Sequence, residues 1–334
     1  MRILVTAPYN EAGLNELEKN FGSIVYRPWK PHGRAYNEEE LLVLLRETEA
    51  TALITEHDLV TEKVIRAFPD LKFIGVCRGT PSNVSLTTAT LYGIPVFYTP
   101  ARNAQAVAEM FIANVITFMR HTIAGINWLK GQHWGVGAHT SYLQFKGKEM
   151  AGKTIGMVGF GAVGQRIANI AKSLPCKIQF YDPYLTAYDD SYTSTSIENV
   201  FATSDIVSVH LPVTADTKEL IGKSLLSLMK PDAIFVNTAR AVVVNRKDLL
   251  EVLEAGQIGG AILDVFDHEP PDELDYRIIN HPKVMATPHI AGATFEVEDH
   301  HVAILNNALV KWFSLEKHDP ALLANKELLN VKTQ

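Results

Sequence analysis

The chain has only two cysteines, Cys77 and Cys176, far apart and without ligand spacing. That excludes a disulfide framework and a cysteine-based zinc site, and it suits a reducing, cytoplasmic compartment. A long hydrophobic run is also missing. The richest, Ala104 to Met119, is interrupted by Gln105, Glu109 and Asn114, so it is no membrane span. Met1-Arg2 leads through Ile3-Leu4-Val5 into Ala7-Pro8-Tyr9, too short an apolar stretch for an export signal, and none is expected. Positive charge is not in excess. With 31 Lys+Arg against 37 Asp+Glu the net charge is −6, which removes the electrostatic reason to expect nucleic acid or an anionic membrane as partner. Low-complexity linkers and sequence repeats are absent as well. The remaining composition, 47% hydrophobic and 20% charged over 334 residues, is that of an ordinary globular protein long enough for two domains.

The rest of the chain is organised around Thr154 to Asp182. Thr154-Ile155-Gly156-Met157-Val158 has the pattern of a buried strand, and Gly159-Phe160-Gly161-Ala162-Val163-Gly164 follows at once. An apolar-periodic run opens next (Ile167, Ala168, Ile170, Ala171, Leu174), and a second strand, Lys177 to Tyr181, ends in Asp182, 18 residues past Gly164. One glycine permits the tight turn, another lets backbone approach a pyrophosphate, and the third lets helix pack close on strand. The helix N-terminus offers free N–H groups to phosphates, and a carboxylate at the next strand tip accepts ribose hydroxyls while repelling a 2′-phosphate. Standing alone, such a loop can be a glycine-rich turn that binds nothing. With strand, helix and Asp182 all in register it is an NAD-binding unit.

Ahead of that unit, residues 1 to about 100 alternate short strands (Arg2–Thr6, Ser23–Tyr26, Ala52–Ile54, Phe73–Cys77, Pro95–Phe97) with helices (Ala12–Asn20, Glu38–Glu47, Glu62–Phe68, Leu86–Tyr92). Asn37 with Glu40 forms a capping-box pattern, and Thr61 can cap the next helix. Alternation of this kind predicts a parallel sheet covered on both faces, without a phosphate loop and therefore on the substrate side. A long helix from Asn103 to about His121 then leads into Trp128, Trp134, Tyr142 and Phe145. A helix so apolar is buried in its own core or against another subunit, and the aromatic arm favours a subunit interface, hence a homodimer through this part of the chain. Further strands are expected at Ile206–Val209, Ala233–Val236, Gly260–Leu263 and Val284–Ala286, and a final helix from Phe295 to about Phe313 returns to the first domain. The expected architecture is α/β, with two domains that are each a doubly wound parallel sheet: 1–102 with 294–334, flavodoxin-like and substrate-binding, and 103–293, a Rossmann domain. Short connections at Thr99–Asn103 and Ala291–Thr294 make a two-strand hinge.

Three residues follow three successive parallel strands: Arg240 in Asn237-Thr238-Ala239-Arg240, Glu269 in Asp264-Val265-Phe266-Asp267-His268-Glu269-Pro270, and His289 in Thr287-Pro288-His289-Ile290-Ala291-Gly292. They share the carboxyl edge with the glycine loop, where open α/β sheets bind ligands. Hydride transfer to or from a hydroxyl-bearing carbon needs a group to exchange the hydroxyl proton, a task suited to histidine. A carboxylate on the other ring nitrogen orients it, and an arginine can grip a substrate carboxylate at two points and polarise the neighbouring carbonyl. Singly, each has a plainer reading: a solvated loop charge, a surface turn before Pro270-Pro271, a capping histidine, and for Asp264 a turn cap. Jointly, beside a dinucleotide loop, they read as an active site without a metal.

The sequence resembles the D-isomer-specific 2-hydroxyacid dehydrogenases, a family that includes phosphoglycerate, glycerate and formate dehydrogenases. The resemblance runs over nearly the whole chain. It is carried by Arg78-Gly79-Thr80-Pro81-Ser82-Asn83-Val84, by Thr99-Pro100-Ala101-Arg102-Asn103 through Glu109, and by the glycine loop. Asn237–Arg240, Leu263–Phe266 with Glu269-Pro270, and Pro288–Gly292 complete it. It implies that His289 is the proton donor and acceptor, Glu269 its partner and Arg240 the substrate anchor. It further implies that Ala162 and Val163 meet the pyrophosphate, that Asp182 meets the ribose, and that Asp264 holds the nicotinamide carboxamide. Thr238, Ala239, His210 and Pro212 would line the nicotinamide side. Gly79 and Thr80 would receive the substrate carboxylate, with Asn103 nearby. Arg78 could reach a second anionic group or only stabilise its own loop. Cys77 is expected to be a small packed residue and not a nucleophile. Ala101 and Ala241 depart from the family pattern, where glycine is frequent.

These observations predict a cytoplasmic, homodimeric, NAD-dependent D-2-hydroxyacid dehydrogenase acting on a small 2-keto acid that the sequence does not name. About 45 residues follow His289, so no extra regulatory domain is expected. The rival reading is an NAD-sensing scaffold like the transcriptional corepressors on the same fold. Against it stand the complete Arg240, Glu269 and His289 set and the lack of a disordered tail.

Overall fold

The computed structural model describes residues 1–135, 139–317 and 319–331, without the side chains of 330 and 331. The portions of the expected domains at 136–138, 318 and 332–334 lie outside the described residues. The chain runs β1 (Ile3–Val5), α1 (Glu11–Phe21), β2 (Ile24–Tyr26), α2 (Glu38–Glu47), β3 (Ala52–Thr55), α3 (Glu62–Ala67), β4 (Ile74–Val76), α4 (Leu86–Leu91) and β5 (Val96–Tyr98). It continues with α5 (Ala104–Met119), α6 (Thr122–Lys130), α7 (His139–Gln144), β6 (Thr154–Val158), α8 (Ala162–Ala171), β7 (Lys177–Tyr181), β8 (Thr193–Ser194), α9 (Ile197–Thr203) and β9 (Ile206–Val209). Then come α10 (Lys223–Leu226), β10 (Ile234–Asn237), α11 (Arg246–Glu254), β11 (Gly260–Leu263), α12 (Glu273–Ile279), β12 (Val284–Ala286), α13 (Glu296–Phe313) and α14 (Leu328–Val331). Two compact units result: Met1–Asn103 with Thr294–Gln334, and Ala104–Ala293.

In the first unit the five strands are all parallel in the order β2-β1-β3-β4-β5, the flavodoxin-like order. The helices between them begin on side-chain caps. Asn10 accepts from the Gly13 N–H, and Asn37 and Glu40 close a reciprocal capping box at 3.0 and 2.9 Å. Strand alternation splits the core in two. Ile3, Val5, Ile54 and Phe97 pack with Leu305, Leu309 and Trp312 of α13 on one face, while Leu4, Leu53, Ile74 and Val96 meet Leu41, Leu45 and Ile65 on the other.

The second unit has seven parallel strands in the order β12-β11-β10-β9-β6-β7-β8. Counted from β6, this is the Rossmann order, reversing direction between β6 and β9. Ile155, Met157, Ile206, Val236 and Ile262 face α5 and α8, and Val158, Val207, Phe235 and Leu263 face α9 to α11. The α5 helix is therefore a core element, with Phe111 and Val115 fully buried. Beyond it the aromatic arm is the short helices α6 and α7, where Trp128 lies 5.9 Å from Trp134 and 5.6 Å from Phe145, ring centre to ring centre. Among the described residues no helix is long and apolar enough to cross a membrane.

Candidate active site

The reversal between β6 and β9 creates the crevice at which a doubly wound sheet binds its ligand, and the glycine loop lies there. Gly159 has φ +88°, and a Cβ on it would stand 2.8 Å from the His210 carbonyl oxygen, so the loops after β6 and β9 touch only because this residue is glycine. A Cβ on Gly164 would meet the Gly159 carbonyl at 3.1 Å, the close helix–strand packing expected of the third glycine. Gly161, at the N-cap of the ten-residue helix α8, faces open space. Ala162 and Val163 form the first turn of that helix, with free N–H groups. Asp182 stands at the tip of β7 and accepts the Phe160 N–H at 2.8 Å and the Tyr184 N–H at 3.0 Å, which fixes its carboxylate beside the loop. On the β9 side, the half-buried His210 ring faces Ser208 Oγ at 2.9 Å, and burial pushes its pKa down to about 4. Pro212 lies two residues on and accepts the Thr217 hydroxyl at 2.6 Å.

The loop after β10 carries Thr238, Ala239 and Arg240. Asn237, 2% exposed, holds it from within: its Oδ1 accepts the Ala239 N–H at 3.0 Å and its Nδ2 donates to the Arg240 carbonyl at 3.0 Å. Thr238 Oγ1 is buried and has no hydrogen-bond partner among the described residues, an orphaned polar atom awaiting a ligand. Gly161 open to solvent, the helix N-terminus, the Asp182 carboxylate and this hydroxyl together fit a dinucleotide.

Beyond β11 and β12 lie the residues for proton transfer. His289 Nδ1 is 2.8 Å from both oxygens of Glu269. A carboxylate only accepts, so the proton sits on Nδ1 and Nε2 is left for exchange with a substrate. His289 has φ +55°, a left-handed conformation that costs a non-glycine residue energy and persists only where neighbours enforce it. The enforcer is Asp264, 1% exposed at the end of β11. Its Oδ1 accepts the Thr287 hydroxyl at 2.6 Å and the Ile290 N–H at 2.9 Å, and its Oδ2 accepts the Ala291 N–H at 2.8 Å. The Glu269 segment is fastened in turn by Arg246, which pairs with Asp267 at 3.0 Å, Asp272 at 2.7 Å and Asp275 at 2.9 Å. His268, Asp272 and Asp275 also come close enough to suggest a cation site, but Arg246 already supplies the positive charge there.

Arg240, Glu269 and His289 line one cavity of about 310 Å³, with Val265, Phe266 and Asp267. The three candidates chosen from sequence therefore converge. Asn237 acts in a way sequence reasoning missed, as a clamp on its loop, and Asp264 clamps the other loop as the turn cap that was its plainer reading. The signal for Asn237 was available, since it is a polar residue at the carboxyl end of a buried strand.

In the first unit the remaining candidates sit at the carboxyl ends of β4 and β5. Arg78 is half-buried, Gly79 and Thr80 are exposed, and Asn103 closes the loop after β5. The Thr99 N–H donates to the Arg78 carbonyl at 2.9 Å and joins the two loops. Cys77 is fully buried, and burial raises its pKa far from a reactive range, so it is a packing residue.

Fold and site together define an NAD-dependent oxidoreductase built of a flavodoxin-like and a Rossmann unit. The family model described as "D-isomer specific 2-hydroxyacid dehydrogenase, NAD binding domain" matches residues 112–291. YoaD of Bacillus subtilis (strain 168), named as a 2-hydroxyacid dehydrogenase, is 58% identical over 99% of this chain and 96% of its own length. The glyoxylate reductase of Pyrococcus furiosus is 31% identical over 99% and 97%. Among solved structures, the TT0316 protein from Thermus thermophilus superposes with a TM-score of 0.78 at 27% identity, covering 97% of this chain and 100% of the other. The chain belongs to the D-isomer-specific 2-hydroxyacid dehydrogenase family. Nothing in these comparisons supports the scaffold reading.

Proposed function

We propose that the chain interconverts a D-2-hydroxy acid and its 2-keto acid with His289 as acid and base, Glu269 as its partner and Arg240 as anchor. The observation that carries these roles is the convergence of all three on one cavity, with His289 Nδ1 held by both Glu269 oxygens. NADH, when bound, supplies the hydride that reaches the keto carbon. Arg240 grips the carboxylate and polarises the carbonyl, and His289 gives its Nε2 proton to the carbonyl oxygen. The hydroxy acid is the product, and oxidation runs the same proton back to Nε2. Glu269 keeps the ring oriented and balances its positive charge.

Ala162, Val163 and Gly161 would hold the pyrophosphate and Asp182 the adenosine ribose. Thr238, Ala239, Asp264, His210 and Pro212 would serve the nicotinamide end. Gly79 and Thr80 would receive the substrate carboxylate with Asn103 near them, and Arg78 would either reach a second anionic group or stabilise its own loop. The substrate class is small 2-keto acids, glyoxylate first, by likeness to the glyoxylate reductase of Pyrococcus furiosus. Following NADH oxidation against a panel of 2-keto acids tests this reading. Tight NADH binding with no turnover on any acid would overturn it.

A homodimer through the arm is part of the same reading. Ile123, Ile126, Leu129, Trp134, Tyr142 and Leu143 are 46 to 72% exposed on α6, α7 and the segment between, a large apolar patch for a lone chain. Sedimentation of a monomer across the micromolar range would exclude it. Two free cysteines suit the cytoplasm as its place of work.

A further inference from the structure

The loop Thr99–Asn103 departs from the family pattern at Ala101, and the structure shows the consequence. Ala101 has φ +61°, a conformation that glycine adopts freely and alanine does not. Such a conformation persists only where its surroundings hold it. The next residue supplies the hold. Arg102 NH1 donates to Glu56 Oε1 at 2.8 Å and lies 3.0 Å from His301 Nδ1, while the Arg102 carbonyl accepts from His300 Nδ1 at 2.9 Å. Glu56 is 5% exposed and His301 fully buried.

Hydrogen counting assigns each proton in this cluster. The NH1 group has two hydrogens, one for Glu56 and one for an unprotonated Nδ1 of His301. His301 therefore carries its proton on Nε2, which donates to the Pro8 carbonyl at 2.7 Å. Burial lowers the pKa of His301, in keeping with a neutral ring. Glu56 is completed by the Trp29 Nε1–H at 3.1 Å. One side chain thus fastens the loop after β5 to the segment after β3, to α13, and through His301 to the segment after β1. The residue that follows, Asn103, has a half-buried side-chain amide without a hydrogen-bond partner among the described residues.

We propose that Arg102 is a positioning residue, whose grip on Glu56, His300 and His301 holds the strained Thr99–Asn103 loop so that Asn103 offers its amide to the 2-keto acid. The inference rests on the proposed function and goes beyond it by assigning Arg102, Glu56 and His301 a part in substrate binding.

Replacing Arg102 alone would strand the buried Glu56 carboxylate and could unfold the unit, so the informative variant removes both charges, Glu56→Leu with Arg102→Met. Apolar replacement of a whole buried pair commonly leaves stability intact. The KM for the best keto acid of the panel, kcat, NADH affinity and Tm are measured for the parent, this double variant, Asn103→Ala and the triple variant. The expected result is parental NADH affinity, a KM raised about tenfold in the double variant and in Asn103→Ala, and no further rise in the triple variant. Non-additivity is the signature of acting through Asn103, which a merely structural pair would not produce. A parental KM in the double variant, or additive effects in the triple, overturns the inference while the function stands. A double variant that fails to fold shows that the pair serves the fold, and overturns it as well. A parent inactive on every keto acid overturns the function and the inference together.

Discussion

His289 Nδ1 stands 2.8 Å from Oε1 and 2.8 Å from Oε2 of Glu269, although twenty residues and a helix separate the two in the chain. The symmetric approach leaves the ring one proton to hold and one to exchange. His289→Ala should lower kcat by about 10²–10⁴-fold, the usual contribution of a positioned acid–base group. NADH affinity should stay near the parent value, because the glycine loop and Asp182 lie elsewhere on the sheet edge. Glu269→Gln keeps the shape and removes the charge, so it should lower kcat by less. A His289→Ala rate within a few-fold of the parent, read by stopped-flow or steady-state NADH oxidation, would sink the mechanism.

Asp264 leads to a second expectation. Removing its carboxylate leaves the Ile290 and Ala291 N–H groups without their acceptor. Ala291 is buried, whereas Ile290 is exposed. A buried donor left unsatisfied costs about 1–3 kcal/mol, so Asp264→Ala should destabilise the protein by about that amount. It should also release His289 from its left-handed conformation and lower kcat. Denaturant unfolding paired with kinetics checks both. Full activity in a destabilised Asp264→Ala protein would show that the clamp does not serve catalysis.

These two clamps mark the boundary of what was legible in the sequence. Strands such as Ile206–Val209 and Gly260–Leu263 are short apolar runs between turn residues, and parallel strands buried on both faces read that way. The glycine loop was legible because each glycine has a local steric reason. By contrast β8 is two exposed residues, Thr193 and Ser194, paired along the sheet edge, and no apolar pattern announces it. The helix α12 has a capping box, Asp272 with Asp275, but it follows Pro270-Pro271, which read as a surface turn. Asp264 was noticed, yet its partners lie more than twenty residues on, and only the pairing of β11 with β12 brings them to it. The arm helices α6 and α7 were legible only as an aromatic composition, since their burial depends on what covers them.

Cofactor choice follows from Asp182. The carboxylate is pinned beside the glycine loop by the Phe160 and Tyr184 N–H groups, so it cannot swing away from a 2′-phosphate. NADH should therefore be preferred over NADPH by at least about tenfold in kcat/KM, a difference of about 1.4 kcal/mol. Asp182→Ala should narrow that ratio. Equal efficiency with both cofactors in the parent would remove Asp182 from its proposed place.

The last expectation concerns acid. His210 is held by burial at a pKa of about 4, against an ordinary value of 6.5. Between those two values the unfolded chain binds a proton at this ring that the folded chain does not. Protonation thus favours the unfolded state, and stability falls as pH drops from about 6.5 towards 4. A shift of this size corresponds to at most about 3 kcal/mol, and water reaching the half-buried ring reduces it. His301, also lowered by burial, acts in the same direction. Carboxylates held low by ion pairs weaken the fold too as they protonate, but in a more acid range, as at Glu40, whose pKa lies at about 2 beside Arg34. Comparing parent with His210→Gln isolates the histidine. Urea unfolding at several pH values between 7 and 4.5 should show a shallower loss of stability in the variant. Parallel curves for the two proteins across that window would mean that His210 does not titrate differently in the folded and unfolded chains.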